Sequence, residues 1–462
     1  MNTYIGIDLG TSAVKLILTD DSGAILRTVS KTYPLLQPRA HWSEQNPEDW
    51  WLAVCDGIAE LTADTNVAAV KGIGVGGQMH GLVMLDENDN VLRPAILWND
   101  TRTGKETAYL NDVIGKDRLQ NLTGNIAFAG FTAPKILWVK ENEPAVFAAC
   151  RKICLPKDYI NYKLTGVFAT DVSDASGTLY FDVANRCWSK PMLDLLGIDE
   201  AMLPQVFESE DVIGKTTVCG LNAVVVAGAG DNAAAAIGTN TVRAGQCNIS
   251  LGTSGTVFLP TDTFVQPDNP ALHTFCHANG KWHLMGCILS AASCNKWLNE
   301  TVFESDYAVD CGNADNELYF MPYLSGERCP HNDGDVRGAF IGLSHTTTRA
   351  QMQSAVFEGV AFAIRDCLAL CPPVARATVC GGGTKSRDWM QVLSDVLQLE
   401  LHIIDNEGPA YGGALLAAKQ LHAPNVKAVV TPNAALAEIY AKKYRKYKQL
   451  YPMLRDFYRQ ED

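Results

Sequence analysis

The sequence predicts an α/β protein made of two related domains that face each other across a cleft. Three observations predict it. First, one phrase occurs twice: Ile7-Asp8-Leu9-Gly10-Thr11-Ser12 runs into AVKLILTD, and Ile249-Ser250-Leu251-Gly252-Thr253-Ser254 runs into GTVFLPTD. The two stretches align over fourteen residues and are identical at seven. Second, β-rich and helical segments are interleaved in both halves. Third, 462 residues are too many for one ordinary core and suit two domains of about 200 to 250 residues. The expected domains are 1–244 and 245–462, meeting at Val242-Arg243-Ala244-Gly245. That junction is too tight for a flexible linker and favours a packed interface with a hinge.

Residues 4–9 and 14–19 are β-rich runs around the first turn. Asp21-Ser22-Gly23 marks the next turn, and AILRTVSKTYP reads as a third strand, so the chain opens as an antiparallel meander. Asn46 is placed to cap a helix with Pro47 at its first position. Strands are predicted over 69–76, 91–98 and 222–227, and helices over 130–140 and 158–165. A further helix starts at Asp231 after the Gly228-Ala229-Gly230 break. In the second half, strands are predicted near 256–259, 282–288, 318–325 and 376–380. Helices follow through 290–300, over 347–370 and from Ser386. A last helix, 433–450, is expected to stop before Tyr451-Pro452, with the basic stretch Lys442 to Lys448 as its solvated face.

Composition is that of a globular protein, 47% apolar and 19% charged, with a formal charge of −13. This excludes a broad basic face for nucleic acid. The longest apolar candidate, near 223–238, is interrupted by Asp231 and Asn232, so no membrane span is expected. The N-terminus passes straight into a strand, and the fourteen cysteines include no C-x-x-C pair. A cytoplasmic protein with reduced, mostly buried thiols is the expectation. His273-x-x-Cys276-His277 has the look of a metal-ligand pair but no partner cluster, and packing is the favoured reading.

Four places carry chemistry. The first turn sets Asp8 at a strand end just before Gly10, and its small, donor-rich residues let backbone amides approach an anion. A carboxylate beside a phosphate requires a cation between them, and Mg²⁺ is satisfied by one or two carboxylates. The alternative is a plain turn whose Asp caps an amide; the second copy of the turn favours phosphate. Gly381-Gly382-Gly383 ends a strand and precedes a helix, as at nucleotide sites, yet neither G-x-G-x-x-G nor a Walker A string is present. Asp231, with Asn232, starts a helix among small residues and is placed to take a proton from a hydroxyl that attacks a phosphoryl group. A simple cap is the rival reading. Gly76-Gly77-Gln78-Met79-His80-Gly81 offers donors and acceptors for a polyhydroxylated ligand.

These residues, in this order, resemble the FGGY carbohydrate kinases nearly end to end. The shared motifs are YIGIDLGTS (4–12), WSEQNPEDWW (42–51), GQMHG (77–81), RPAILWND (93–100), GFTAPKILW (130–138) and LPKDY (155–159). They continue with GDNAAAAIG (230–238), SLGTSG (250–255), LMGCILSAAS (284–293), PYLSGER (322–328) and CGGG (380–383). The resemblance implies two actin-like (RNase H-like) domains, with sugar and catalytic base in the first and nucleotide in the second. It implies Asp231 as the base and Asp8 as the Mg²⁺ ligand. Thr11, Ser12, Lys15, Gly252 and Thr253 would face the ATP phosphates, and Gly381, Gly382, Gly383 and Ser386 the adenosine end. Gln78, Met79, His80, Trp98, Asp231 and Asn232 would meet the sugar. Arg102 and Arg328 are secondary candidates with no assigned role. Within the family, the Gln78-Met79-His80 triplet points to D-xylulose. Ribulose or gluconate, or a non-catalytic actin-like ATP sensor, are the rivals, and the presence of both Asp8 and Asp231 argues against the last. A homodimer is left open. The sequence departs from the family at Ala13, where Gly is frequent, at Cys329, where Thr is usual, and in a shortened polar segment over 308–319.

Overall fold

The computed structural model describes residues 2–304 and 316–458, so residues 308–315 of the shortened polar segment lie outside the described residues. The opening meander forms as expected. Strands β1 (Thr3–Leu9), β2 (Ala13–Asp20) and β3 (Ile25–Thr32) pair antiparallel in succession. Helix α1 (Pro47–Thr62) follows; Asn46 Oδ1 accepts the Glu48 amide at 3.3 Å and Pro47 occupies the first turn. Such a cap contributes about 1 kcal/mol. Strand β4 (Val70–Gly77) then lies parallel to β1.

Further along come α2 (Thr132–Asn142), α3 (Pro156–Thr165), β5 (Val212–Thr216) and β6 (Ala223–Val226). Helix α4 (Asp231–Gly238) starts at the expected residue. The first sheet reads β5-β6-β4-β1-β2-β3, with Ala229–Gly230 paired beside the end of β4.

The second half repeats this plan. Strands β7 (Asn248–Leu251), β8 (Gly255–Thr261), β9 (His273–Cys276) and β10 (Trp282–Ile288) precede α5 (Ala292–Trp297) and the long α6 (Arg349–Ala369). Then come β11 (Arg376–Cys380), α7 (Arg387–Leu397), β12 (Glu400–Ile404), α8 (Pro409–Ala418), β13 (Val426–Val430) and α9 (Ala437–Tyr458). The sheet order is β9-β10-β8-β7-β11-β12-β13. Each half thus sets an antiparallel hairpin beside a parallel strand, β4 against β1 and β11 against β7.

Four expectations need correction. The strand predicted over 91–98 shrinks to Ala95–Ile96, and the one over 318–325 to Tyr319–Met321. Pro94 and Pro322 lack an amide donor and end the ladders there. The last helix runs through Pro452 to Tyr458. Tertiary packing holds this extension: Tyr451 stacks on His331 at 3.6 Å and donates its hydroxyl to Asp333 Oδ2 at 2.8 Å, and Leu454 and Tyr458 pack on the Met321, Tyr323 and Val336 cluster. Nor is its basic stretch wholly solvated, because Lys443 turns inward to Glu358 at 2.5 Å.

Helix α8, which the sequence reading did not single out, leaves its own half and lies on the first sheet. The contact admits no side chain. A Cβ at Gly6 would sit 1.7 Å from Ala410 O, one at Gly74 2.1 Å from Gly413 O, and one at Gly412 1.8 Å from Ala234 O. No helix among the described residues is long and apolar enough to cross a membrane. Gly74→Ala is expected to lower stability by roughly 2 to 4 kcal/mol, because backbone must move. Gly104→Ala, whose Cβ would meet nothing within 4 Å, should change it by less than about 0.5 kcal/mol. Urea midpoints test the pair, and equal midpoints would show that the α8 contact is loose.

Candidate active site

The cleft is organised by strand ends. In register, Asp8 of β1 lies beside Gly76 of β4, and Gly76 lies beside Ala229 on its other side. Asp8 and Asp231 therefore emerge from parallel backbone on opposite flanks of β4. The turn between β6 and α4 fits only because Gly228 has φ +75° and no Cβ, which would otherwise sit 2.0 Å from Val75 O. Burial pushes the Asp8 carboxyl up to about 7, the Asp231 charge adds to this, and Lys15 partly opposes it. Burial likewise pushes Asp231 up to about 6, while the Asn232 amide, donating to Oδ1 at 2.7 Å, favours its ionised form. Asn232 Nδ2 donates to the same oxygen at 3.0 Å.

The first turn is tied to the polar residues beside it. Trp98 Nε1 donates to Thr11 Oγ1 at 2.9 Å, and Thr11 Oγ1 donates to Gln78 Oε1 at 3.3 Å. Gln45, which the sequence reading gave no role, links these groups to α1. Its Nε2 donates to Thr11 O at 2.6 Å, and its Oε1 accepts from Gln78 Nε2 at 3.1 Å and Trp50 Nε1 at 3.0 Å. The Thr11 hydroxyl thus serves the predicted sugar residues Gln78 and Trp98, while Ser12 is exposed. Lys15 reaches across to the second half, donating to Glu407 O at 2.9 Å, with Glu407 Oε2 at 3.7 Å. Both side chains are partly exposed, so this pair adds at most about 1 kcal/mol and leaves Lys15 available to an anion.

Met79 packs against Gly230, immediately before Asp231; a Cβ there would lie 2.9 Å from Met79 Cγ. His80 has φ +68°, and this left-handed backbone is held by Lys135 Nζ at 2.8 Å and Thr132 Oγ1 at 3.2 Å, both donating to its carbonyl. His80 Nδ1 is 2.7 Å from Gly177 O, and because a carbonyl only accepts, Nδ1 carries the proton. Burial, aided by the Lys135 charge, pushes the imidazole down to about 3, so it is neutral and Nε2 is an acceptor. The ring stacks on Phe131 at 4.6 Å. Arg328, from the second half, stands nearby, 5.6 Å from the Phe128 ring centre, and its charge contributes to the lowered pKa of His80 and of buried His273.

In the second half, Ser250 pairs with Cys380, so the Gly252–Thr253 turn and the Gly381–Gly383 run leave adjacent parallel strands. Gly252 O and Thr253 O accept from the first amides of the 291–293 segment, which fixes the turn. Gly381 has φ +99°, and a Cβ on it would lie 2.6 Å from Leu251 O. Gly382 has open space around it. Ser386 caps α7 through Trp389 N at 3.2 Å, so its hydroxyl has a structural task. The structure brings Asp8, Thr11, Gln78, Met79, His80, Trp98, Asp231 and Asn232 together on one lobe, and Gly252, Thr253 and Gly381–Gly383 together on the other.

Two sets of residues went unread in the sequence. Buried Lys157 lies 2.7 Å from Asp158 and 3.1 Å from Asp171. Asp171 Oδ2 accepts Ser173 Oγ at 2.6 Å, and Ser173 Oγ accepts the Gly230 amide at 3.1 Å. The LPKDY and TDVSDAS segments hold the only signal, since charged residues there fall among apolar neighbours. Arg102 acquires a structural role: it grips Asp100 at 2.6 Å and Glu44 at 2.7 Å and lies 3.6 Å over Trp42, which clamps the Trp98 loop. Among the described residues no group of three or more His, Cys, Asp or Glu could hold a metal, and His277 Nε2 donates to Thr241 O at 2.9 Å.

Two lobes with strand-end carboxylates on one and a glycine-lined strand end on the other define a sugar kinase of the actin-like type. The chain belongs to the FGGY family of carbohydrate kinases: residues 3–238 match its N-terminal domain and 247–421 its C-terminal domain. It is 42% identical over 437 residues to the xylulose kinase of Klebsiella pneumoniae, covering 91% of this chain and 90% of that protein. It superposes on the crystal structure of a xyloylose kinase from Brucella ovis with a TM-score of 0.93 and 37% identity, covering 99% of this chain and 100% of that one. A gluconate kinase from Lactobacillus acidophilus gives a TM-score of 0.92 at 26% identity, covering 98% of each chain. The backbone is thus common to kinases named for different sugars.

Thr11→Val breaks the Trp98–Thr11–Gln78 chain. It is expected to raise the sugar KM about tenfold, the cost of roughly one hydrogen bond, while the ATP KM stays within about twofold. A selective rise in the ATP KM would return this hydroxyl to the phosphates.

Proposed function

We propose that this protein phosphorylates D-xylulose with ATP to give D-xylulose 5-phosphate. The observation that carries the reading is Asp231: a half-buried carboxylate, bonded only through its neighbour Asn232 among the described residues, at the start of α4 and next to Gly230, on which Met79 packs. The identity to xylulose kinases over nine-tenths of the chain supports this sugar over gluconate.

In this reading the ketose lies in the first lobe, residues 1–244. Trp98 flanks it, His80 Nε2 accepts one of its hydroxyls, and Gln78 and Asn232 orient others. Asp231 accepts the proton of the terminal hydroxyl as its oxygen attacks the γ-phosphoryl group. A pKa raised to about 6 keeps Asp231 ionised near neutrality yet more basic than an ordinary carboxylate. The second lobe, residues 245–462, holds the nucleotide, with the Gly252–Thr253 turn at the phosphates and Gly381–Gly383 against the adenosine. Lys15 exchanges Glu407 for phosphate oxygen. Closure of the lobes excludes water, which would otherwise accept the phosphoryl group.

Asp8 fits Mg²⁺: it is a desolvated carboxylate, repelled by Asp231, and no hydrogen bond to it forms among the described residues. A bound Mg²⁺ neutralises phosphate charge. The thirteen described cysteines are all free, in keeping with a reducing cytoplasm.

ADP release measured with D-xylulose, D-ribulose, gluconate and glycerol tests the substrate. The highest kcat/KM is expected with D-xylulose, and a flat profile would end that assignment. Asp231→Asn should lower kcat by about 10³-fold, within the usual range for loss of a general base, and leave the affinity for an unreactive ATP analogue within about threefold. Near-normal turnover in this variant would remove the base from Asp231.

A further inference from the structure

The far end of α4 opens onto a second cavity. Asp231 starts the helix in the cleft, and Thr239, just past its last residue, lines a cavity of about 500 Å³. Eight residues separate the two sites by about 12 Å of helix. One wall is the connection between the halves, residues 239–247. The other comes from the start of β11, from β12 and from the 423–426 segment, all in the second half.

The chemistry of this cavity is one-sided. Two exposed arginines line it, Arg243 from the connection and Arg376 from the start of β11, and His402, Thr241 and Thr378 add polar groups. No lining residue is acidic, in a chain whose formal charge is −13. His402 has a carboxylate partner, Glu400 at 2.7 Å, outside the lining. Neither arginine forms an ion pair among the described residues. The Arg243 loop is nonetheless built: Gln246 Oε1 accepts the amides of both Val242 and Arg243 at 2.8 Å. Two arginines lining one small-molecule-sized space match a phosphate group, which arginine binds in bidentate fashion.

We propose that this cavity is a second, non-catalytic binding site for a small phosphate-bearing anion, held between Arg243 and Arg376 across the junction of the two halves. The shared chemistry is a phosphate group, free or carried on a sugar.

Calorimetry tests this on the intact protein with its cleft filled by D-xylulose and an unreactive ATP analogue. Inorganic phosphate and a pentulose phosphate are the titrants. One further equivalent is expected to bind, roughly tenfold or more weaker after either Arg243→Gln or Arg376→Gln. Both variants should keep wild-type sugar turnover, which reports that they are folded. Tighter binding of the pentulose phosphate would identify a site for an organic phosphate, and equal binding a site for the phosphate group alone. No binding by the wild type with the cleft filled, or binding unchanged in both variants, would overturn the proposal.

Discussion

Lys157 has no exposed surface, and its ammonium group meets Asp158 and Asp171 in the interior, with Asp174 3.9 Å away. A buried cation of this kind is strongly destabilising unless its charge and donors are matched, and three carboxylates raise its pKa despite burial. Its remaining donor goes to Ala227 O at 3.2 Å, just before the Gly228 turn. Asp171 and Ser173 carry the same network to the Gly230 amide. The turn that aims Asp231 is thus fastened on both sides by one buried ionic cluster. Asp174 is pushed well above the ordinary carboxylate range mainly by burial, and the neighbouring carboxylates, Asp231 among them, add to this.

The two halves share a backbone device and diverge in what it presents. In both, a hairpin strand lies parallel to a strand that ends in glycine: β1 with β4 at Gly76–Gly77, and β7 with β11 at Gly381–Gly383. The repeated phrase places Asp8 and Ser250 at equivalent points. At this point one lobe therefore carries a carboxylate and the other a hydroxyl. The lobes are joined by α8, which is possible only because glycines on both surfaces let backbone meet backbone.

Much of this was legible in the sequence because it rests on local chemistry. The meander, the Asn46–Pro47 cap and the start of α4 at Asp231 follow from short-range patterns. The repeat announced two lobes before any strand was paired. What escaped depends on distant partners. Nothing in PAYGGALLAA says that it lies on the opposite lobe, although its paired glycines are the trace of that contact. Helix α9 passes Pro452 because His331 and Asp333, more than a hundred residues away, hold Tyr451. The bonds of the Thr11 hydroxyl to Trp98 and Gln78 come from loop packing that no motif encodes. Lys157 stood in plain view in LPKDY, but only the fold shows that its charge is buried.

The central claim is that burial in this cleft makes Asp231 a base suited to neutral pH. The dependence of kcat/KM for D-xylulose on pH, measured at saturating Mg-ATP, tests it most directly. Because Asp231 must be ionised to accept the proton, activity should rise with pH and level off above an apparent pKa near 6, in line with the raised value of this group. A limb at the ordinary carboxylate value near 4, or none down to that pH, would contradict the account.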